Sequence, residues 1–282
     1  MRIPEIPETP EPYPVVADIE FAEGPIFDAQ GYLYFVNYMK KGTLGRRAPD
    51  GTVEVWVHVG GQANGCKVDH DGNLIVADYG GKRILRIHPI TRKIQVVTDG
   101  FEGKPYLGPN DVCQDMRGNI YFSDPTGSNR KNPIGAVYRI ERGSDRVTRL
   151  DTGLAFPNGL AVSPAQTHLY VAESETNRLL EYRLQSDGTV SHKRVSMQFD
   201  TETLDGIMFD EHGRLWIARY GSGTVDVVWP ERGELIRRIP MPGRKPSNLC
   251  WWGKQLHVTV SDRHCIYRLD VGCHAAPQIP ER

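Results

Sequence analysis

A unit of 41 to 48 residues recurs six times along this chain, and few folds can accommodate that. Each unit opens on a short polar residue and its neighbour: Glu23-Gly24, Asn64-Gly65, Asn110-Asp111, Asn158-Gly159, Asp205-Gly206 and Ser247-Asn248. Five residues after the openers stand Asp28, Asp69, Asp115, Ser163, Asp210 and Trp252, and in four units the pattern D-x-x-G runs on to Gly31, Gly72, Gly118 and Gly213. Aspartate and glycine at that spacing make a hairpin turn. A short strand-like run follows each turn, at 33–36, 74–77, 120–123, 169–172, 215–218 and 256–260. Leucine-rich and helical repeats are shorter or carry a 3.6-residue period, whereas a four-stranded propeller blade takes roughly 40 to 50 residues. The predicted fold is all-β, a six-bladed β-propeller with four-stranded blades.

Helical periodicity is nearly absent; the run 177–184 has some, but its place in the repeat makes it a third strand. The sixth unit ends near Asp270 with no fourth strand behind it, while residues 13–19 precede the first opener and read as a spare strand. An unpaired sheet edge invites aggregation. Residues 13–19 are therefore predicted to supply the outer strand of the last blade and close the ring. Residues 1–12 then form a Pro-rich N-terminal arm, and 13–282 a single propeller domain.

The first strand of each propeller blade lines the central channel, so six equivalent openers converge on the axis. Their side chains, Glu23, Asn64, Asn110, Asn158, Asp205 and Ser247, are two acids, three amides and a hydroxyl. Short polar residues also cap strand starts, but Glu23 is a poor turn former and no apolar plug stands among the six. Oxygen-only ligands of moderate negative charge suit a hard divalent cation such as Ca²⁺, Mg²⁺ or Mn²⁺. None of the nine histidines falls in the opener register, which disfavours a His-rich zinc site. Asp111 departs from the repeat, since four units carry Gly at that position. It reads either as a buried acid satisfied by backbone N–H groups or as a carboxylate acting beside the metal as a general base.

The same face receives the loops that follow each second strand, of which the segment 124–135 is the longest. Together with 104–109 it is expected to cover the channel mouth. Asn64, Tyr106, Asp124, Arg219 and Tyr220 are the candidate substrate contacts, with Tyr38 and Tyr79 on the border of a pocket for a small polar molecule with a ring.

At this point the residues resemble the gluconolactonase, regucalcin and senescence-marker-protein group of six-bladed propellers. The matching stretches are F-A-E-G-P at 21–25, P-N-D-V with Y-F-S-D-P within 109–125, P-N-G-L-A-V at 157–162 and L-D-G-I at 204–207. The resemblance covers nearly the whole chain after the arm. It implies that Glu23, Asn158 and Asp205 are metal ligands and that Asn110 contacts metal or substrate. It also implies one divalent cation, calcium foremost, with magnesium, manganese or zinc as alternatives. The implied reaction is hydrolysis of a small lactone, with Asp205, or Asp111 beside it, as proton acceptor. Regucalcin-type members carry an arginine two residues before the asparagine matching Asn110, where this chain has Gly108. The wording is closer to the bacterial gluconolactonase and drug-responsive lactonase branch. Propellers with the same metal ring include phosphotriesterases that cleave organophosphates and the paraoxonases, whose histidine dyad has no counterpart here. A non-catalytic propeller that binds a cation only to hold its blades together is a third reading.

Charge excludes some partners. Lys and Arg total 34 against 35 Asp and Glu, and no basic block exists to track phosphates, so nucleic acid is not expected. No run approaches the ~18 apolar residues of a membrane span, and residues 1–14 are Pro- and Glu-rich where a secretory signal needs an apolar stretch. A cytoplasmic protein is expected, its oligomeric state left open. The five cysteines form no C-x-x-C pair and are expected to be reduced and mostly buried, Cys66, Cys113 and Cys250 in inner strands.

Overall fold

A single aspartate builds the hairpin in four of the six units. In the computed structural model, which describes residues 5–8 and 10–277, Asp28 Oδ1 accepts the backbone N–H groups of Gln30 and Tyr32 at 2.9 Å each. Gly31 sits at φ +84°, a left-handed position that disfavours any side chain. The other carboxylate oxygen of Asp28 reaches the next strand, where the Tyr34 hydroxyl donates to it at 3.1 Å. Asp115 takes Tyr121 in the same way at 3.0 Å, and Asp210 takes Trp216 Nε1 at 2.9 Å. In three of the four units the D-x-x-G motif is thus a turn and also a clamp on a core aromatic six residues further on; in the second, Ile75 stands there and Asp69 pairs with Arg86 at 3.3 Å instead.

Six four-stranded antiparallel sheets follow, arranged in a ring. Their innermost strands are Ile19–Phe27, Ala63–Val68, Val112–Gln114, Pro157–Val162, Thr203–Phe209 and Pro246–Trp252, each touching the next and the last touching the first. Core side chains such as Phe35, Phe122, Tyr170 and Trp216 fill the space between blades and are fully buried. Among the described residues the only helical pieces are the 3₁₀ turns Ser174–Thr176 and Ser261–Arg263, and the run expected as a third strand is Arg178–Leu184. No helix of the described residues is long and apolar enough to cross a membrane.

The ring closes as expected, but with a shorter strand. Tyr13–Val16 pairs antiparallel with Cys265–Asp270 as the outer strand of the last blade. Asp18, at φ +59°, then turns the chain, and Ile19 begins the inner strand of the first blade instead of extending the closing strand. Of the Pro-rich arm, residues 1–4 and 9 lie outside the described residues, as do 278–282; Ile6 is buried in the core of the fifth and sixth blades. All five cysteines are unpaired and buried.

Candidate active site

The openers converge because the residue after most of them is glycine. A Cβ at Gly24 would lie 2.3 Å from the Asn64 carbonyl oxygen, one at Gly159 2.3 Å from that of Asp205, and one at Gly65 2.3 Å from Asp111 Oδ1. Each inner strand therefore presses directly against the next around the axis. Five of the six openers, Glu23, Asn64, Asn110, Asn158 and Asp205, line one cavity of about 330 Å³ at the channel mouth.

The sixth opener does not join them. Ser247 is fully buried and its hydroxyl donates to the Ala22 carbonyl at 2.6 Å. Its neighbour Asn248 turns inward instead, beside Glu23, and its Nδ2 reaches Asp111 Oδ2 at 3.5 Å. Asp111 is only 2% exposed and is not on the cavity wall; its Oδ1 accepts the Val112 N–H at 2.8 Å.

Of the expected substrate contacts, Asn64 and Tyr220 line the cavity, as does Tyr79. Tyr106, Asp124 and Arg219 do not, and Tyr38 packs edge-on against Phe35. Tyr106 is buried among Phe122 and Tyr138, its hydroxyl 2.8 Å from Thr98 Oγ1. None of residues 104–109 lines the cavity: Lys104–Pro105 pairs with Gly100–Phe101 in a small ribbon, and Asp124 accepts the Leu107 and Gly108 N–H groups at 2.9 and 2.6 Å. Arg219 is paired with Asp226 at 2.7 Å, donates to the Thr201 carbonyl and stacks 4.5 Å over Phe199. Asp124 and Arg219 stand at or next to the ends of second strands, the position held elsewhere by Asn37, Asp78 and Glu173, and each of the five is buried and tied to the loop that follows or flanks it. They brace the loops.

Residues that repeat reading missed stand two places before the openers. Phe21, Gln62, Phe156 and Thr203 line the cavity. Side chains alternate along a strand, so the positions two before the openers share their face. At Gly108, the matching place in the third blade, a Cβ would lie 2.3 Å from Thr126 Oγ1, so the wall there carries no side chain.

Residues 21–261 match the family described as SMP-30/gluconolactonase/LRE-like region. The chain belongs to this family. A gluconolactonase from Zymomonas mobilis is 30% identical over 95% of this chain and 83% of that protein. Diisopropyl-fluorophosphatase from Loligo vulgaris is 29% identical over 91% of this chain and 90% of that protein. Among solved structures, a gluconolactonase from Xanthomonas campestris superposes with a TM-score of 0.82 at 25% identity, covering 93% of this chain and 90% of that one.

In this SMP-30/gluconolactonase-like site, burial crowds three acids together. Desolvation, then the Asp111 carboxylate, push Glu23 up to about 8 against the N–H of Gly24 and the amide of Asn248, which pull the other way. Desolvation, then Glu23 and Asp111, hold Asp205 well above the usual carboxylate range. Asp111 is raised by burial and drawn back chiefly by Lys67. Three mutually repelling carboxylates call for a cation. Asn158 gives a second sign: its amide lies beside Asp205 and eases that acid's ionisation, and its buried Oδ1 has no hydrogen-bond partner. A carbonyl-type oxygen left without a donor at that depth is costly, and a cation would satisfy it. Among the described residues no three His, Cys, Asp or Glu side chains form a metal cluster on their own, so amides must complete the donor set. Two carboxylates and two amides fit a hard cation.

Proposed function

We propose that the protein opens the ring of a small lactone by hydrolysis, using one divalent cation held by Glu23, Asn110, Asn158 and Asp205. The observation that carries this reading is the unpartnered Asn158 Oδ1 beside two repelling carboxylates in the same cavity. Its relatives named gluconolactonase and lactonase support the reaction class. Calcium suits a donor set this oxygen-rich and only half charged.

When bound, the cation supplies Lewis acidity to the ester carbonyl. The chain does the rest. Gln62, Asn64 and Thr203 offer hydrogen bonds to the oxygens of a sugar-like ring, while Phe21, Phe156, Tyr79 and Tyr220 pack its faces and exclude water. A carboxylate oxygen of Asp205, on the cavity wall, takes a proton from the attacking water. The water oxygen bonds to the acyl carbon, the acyl carbon–oxygen bond of the ring breaks, and the departing oxygen takes up the proton as a hydroxyl. Asp111 and Asn248, behind the ring of openers, hold Glu23 and one another in place.

A second reading comes from diisopropyl-fluorophosphatase, which matches 91% of this chain against 95% for the gluconolactonase. The same ring would then serve attack at phosphorus. The test is one panel of sugar lactones, aliphatic lactones, aryl esters and phosphorus fluorides, each scored with calcium and with chelator. Lactone turnover lost on chelation and restored by added ion is expected. Turnover on phosphorus fluorides alone would move the assignment to the second reading, and activity indifferent to chelator would remove the cation. The same reading takes residues 13–282 as one domain and the protein as cytoplasmic, five unpaired buried thiols supporting a reducing compartment.

A further inference from the structure

Below the openers the inner strands present a second tier, three residues further on: Ile26, Lys67, Cys113, Ala161, Met208 and Cys250. All six are buried, and Ile26 and Met208 face the opposite mouth of the channel. Five of the six are uncharged, as the inside of a narrow channel requires. Lys67 is the exception, a lysine only 4% exposed.

Its strand, Ala63–Val68, is wedged between two of the acids: the Asn64 carbonyl presses on Gly24, next to Glu23, and Gly65 presses on Asp111. Lys67 stands two residues beyond Gly65, in the buried tier below the openers, and from there its charge reaches Glu23 and Asp111. A buried lysine is costly unless it is compensated, and three buried carboxylates converging on one site are costly in the opposite sense.

We propose that Lys67 is the resident counter-charge of the metal site and sets it to take a divalent ion in preference to a trivalent one. This rests on the reading that the openers hold a cation. With Glu23, Asp111 and Asp205 ionised, the three carboxylates and the one ammonium leave a formal charge of minus two, which a divalent ion neutralises. Without Lys67 the site carries minus three and is matched to a trivalent ion. A tighter site would also release the ion less readily, so the lysine keeps the metal exchangeable.

The experiment is calorimetric titration of the full, metal-stripped chain with Ca²⁺ and with Tb³⁺, for wild type, Lys67→Met, Lys67→Gln and Lys67→Arg. A unit charge acting across on the order of 8 Å of protein at an effective dielectric of about 20 is enough to change a divalent ion's affinity at least tenfold. Because the interaction scales with the charge of the ion, a tenfold gain for Ca²⁺ corresponds to about thirtyfold for Tb³⁺. Both neutral variants should therefore bind Ca²⁺ at least tenfold more tightly and shift the Tb³⁺ to Ca²⁺ preference by about threefold or more. Lys67→Arg should stay close to wild type. Lys67→Gln keeps a polar tip, so agreement between the two neutral variants assigns the effect to charge and not to shape. Wild-type affinities for both ions in the neutral variants would overturn the proposal. Wild type that binds neither ion would overturn the cation-holding reading of the openers instead.

Discussion

The acids of the site make the metal-free protein weaker in alkali, the reverse of what ion-paired surface carboxylates do. Glu23 stands at about 8 in the folded chain against an ordinary 4.5. Between those values the folded state keeps a proton that the unfolded state has released, so raising the pH favours unfolding. At about 1.4 kcal/mol per pH unit, the whole displacement amounts to roughly 5 kcal/mol, a large part of the stability of an ordinary domain. His257 works in the opposite direction. Burial, with Arg268 and Arg47 nearby, lowers it from 6.5 to about 4, so the unfolded state binds the extra proton and stability rises with pH over that window. Below pH 6.5 the two effects oppose each other, at roughly 3 kcal/mol each. Between pH 6.5 and 8 the His257 effect is gone and the Glu23 effect costs about 2 kcal/mol. Asp205 and Asp111, raised as well, deepen and broaden the fall without changing its sign. The assay is urea unfolding followed by tryptophan fluorescence at pH 5, 6.5, 7.2 and 8, in chelator and in saturating calcium. A drop of about 2 kcal/mol or more between pH 6.5 and 8 is expected in chelator, abolished by calcium and reduced by Glu23→Gln. A free energy of unfolding that holds constant or climbs from pH 6.5 to 8 in chelator would refute the reasoning.

Asp205→Asn should lower lactone turnover by on the order of 10²-fold even at saturating metal, whereas Asn158→Ala should weaken metal affinity and recover activity when metal is added. Recovery of wild-type turnover by Asp205→Asn would rule out that carboxylate as the base. Deleting residues 1–17 removes Tyr13–Val16 from the last blade and should abolish soluble monomer; a truncated protein with an unchanged melting curve would disprove the closure. Cys66 and Cys250 are pushed up to about 12 by burial and Cys113 higher still, so all three should label slowly with a thiol reagent in native protein and fast in denaturant. Tyr106→Phe should leave KM unchanged and cost about 1 kcal/mol of stability through the lost bond to Thr98; a several-fold rise in KM would return Tyr106 to the cavity.

What the sequence makes legible is whatever repeats. Six openers at one spacing locate the axis, and four D-x-x-G turns locate the hairpins, because each repeat is an independent copy of the same local physics. Exceptions to the repeat are harder. Ser247 looks like an opener, but its hydroxyl is taken by the Ala22 carbonyl of the adjoining first blade, and that partner stands 225 residues away. Arg219 and Asp124 look like functional charges on the active face. Aligning them with Asp78 and Glu173 would have exposed them, since those acids pair with Arg83 and Arg178, five residues further on in each case. Period-two alternation applied backward from the openers would likewise have found Phe21, Gln62, Phe156 and Thr203. Lys67 sits in a strand where buried apolar residues are the rule, and only the ring arrangement shows that its charge reaches Glu23 and Asp111.

Closing the last blade with the first strand sets an order on biosynthesis. Val16 finds its partner at Ile266, so its strand has no sheet to join until the sixth blade, about 250 residues later, has left the ribosome. At roughly 5 to 20 residues per second, that is a wait on the order of tens of seconds. During it, blades one to five can form in turn as their strands emerge, each from neighbours in sequence. The closing step alone depends on the most distant contact in the molecule and is expected to be its slowest. Until then the half-built ring carries an open sheet edge at Cys265–Asp270 and a detached β-strand from the same molecule. In a crowded polysome, where many nascent copies stand side by side, that strand can pair with a neighbouring chain's last blade. Domain-swapped chains, and not collapsed cores, are then the misassembly to look for when this protein is overproduced.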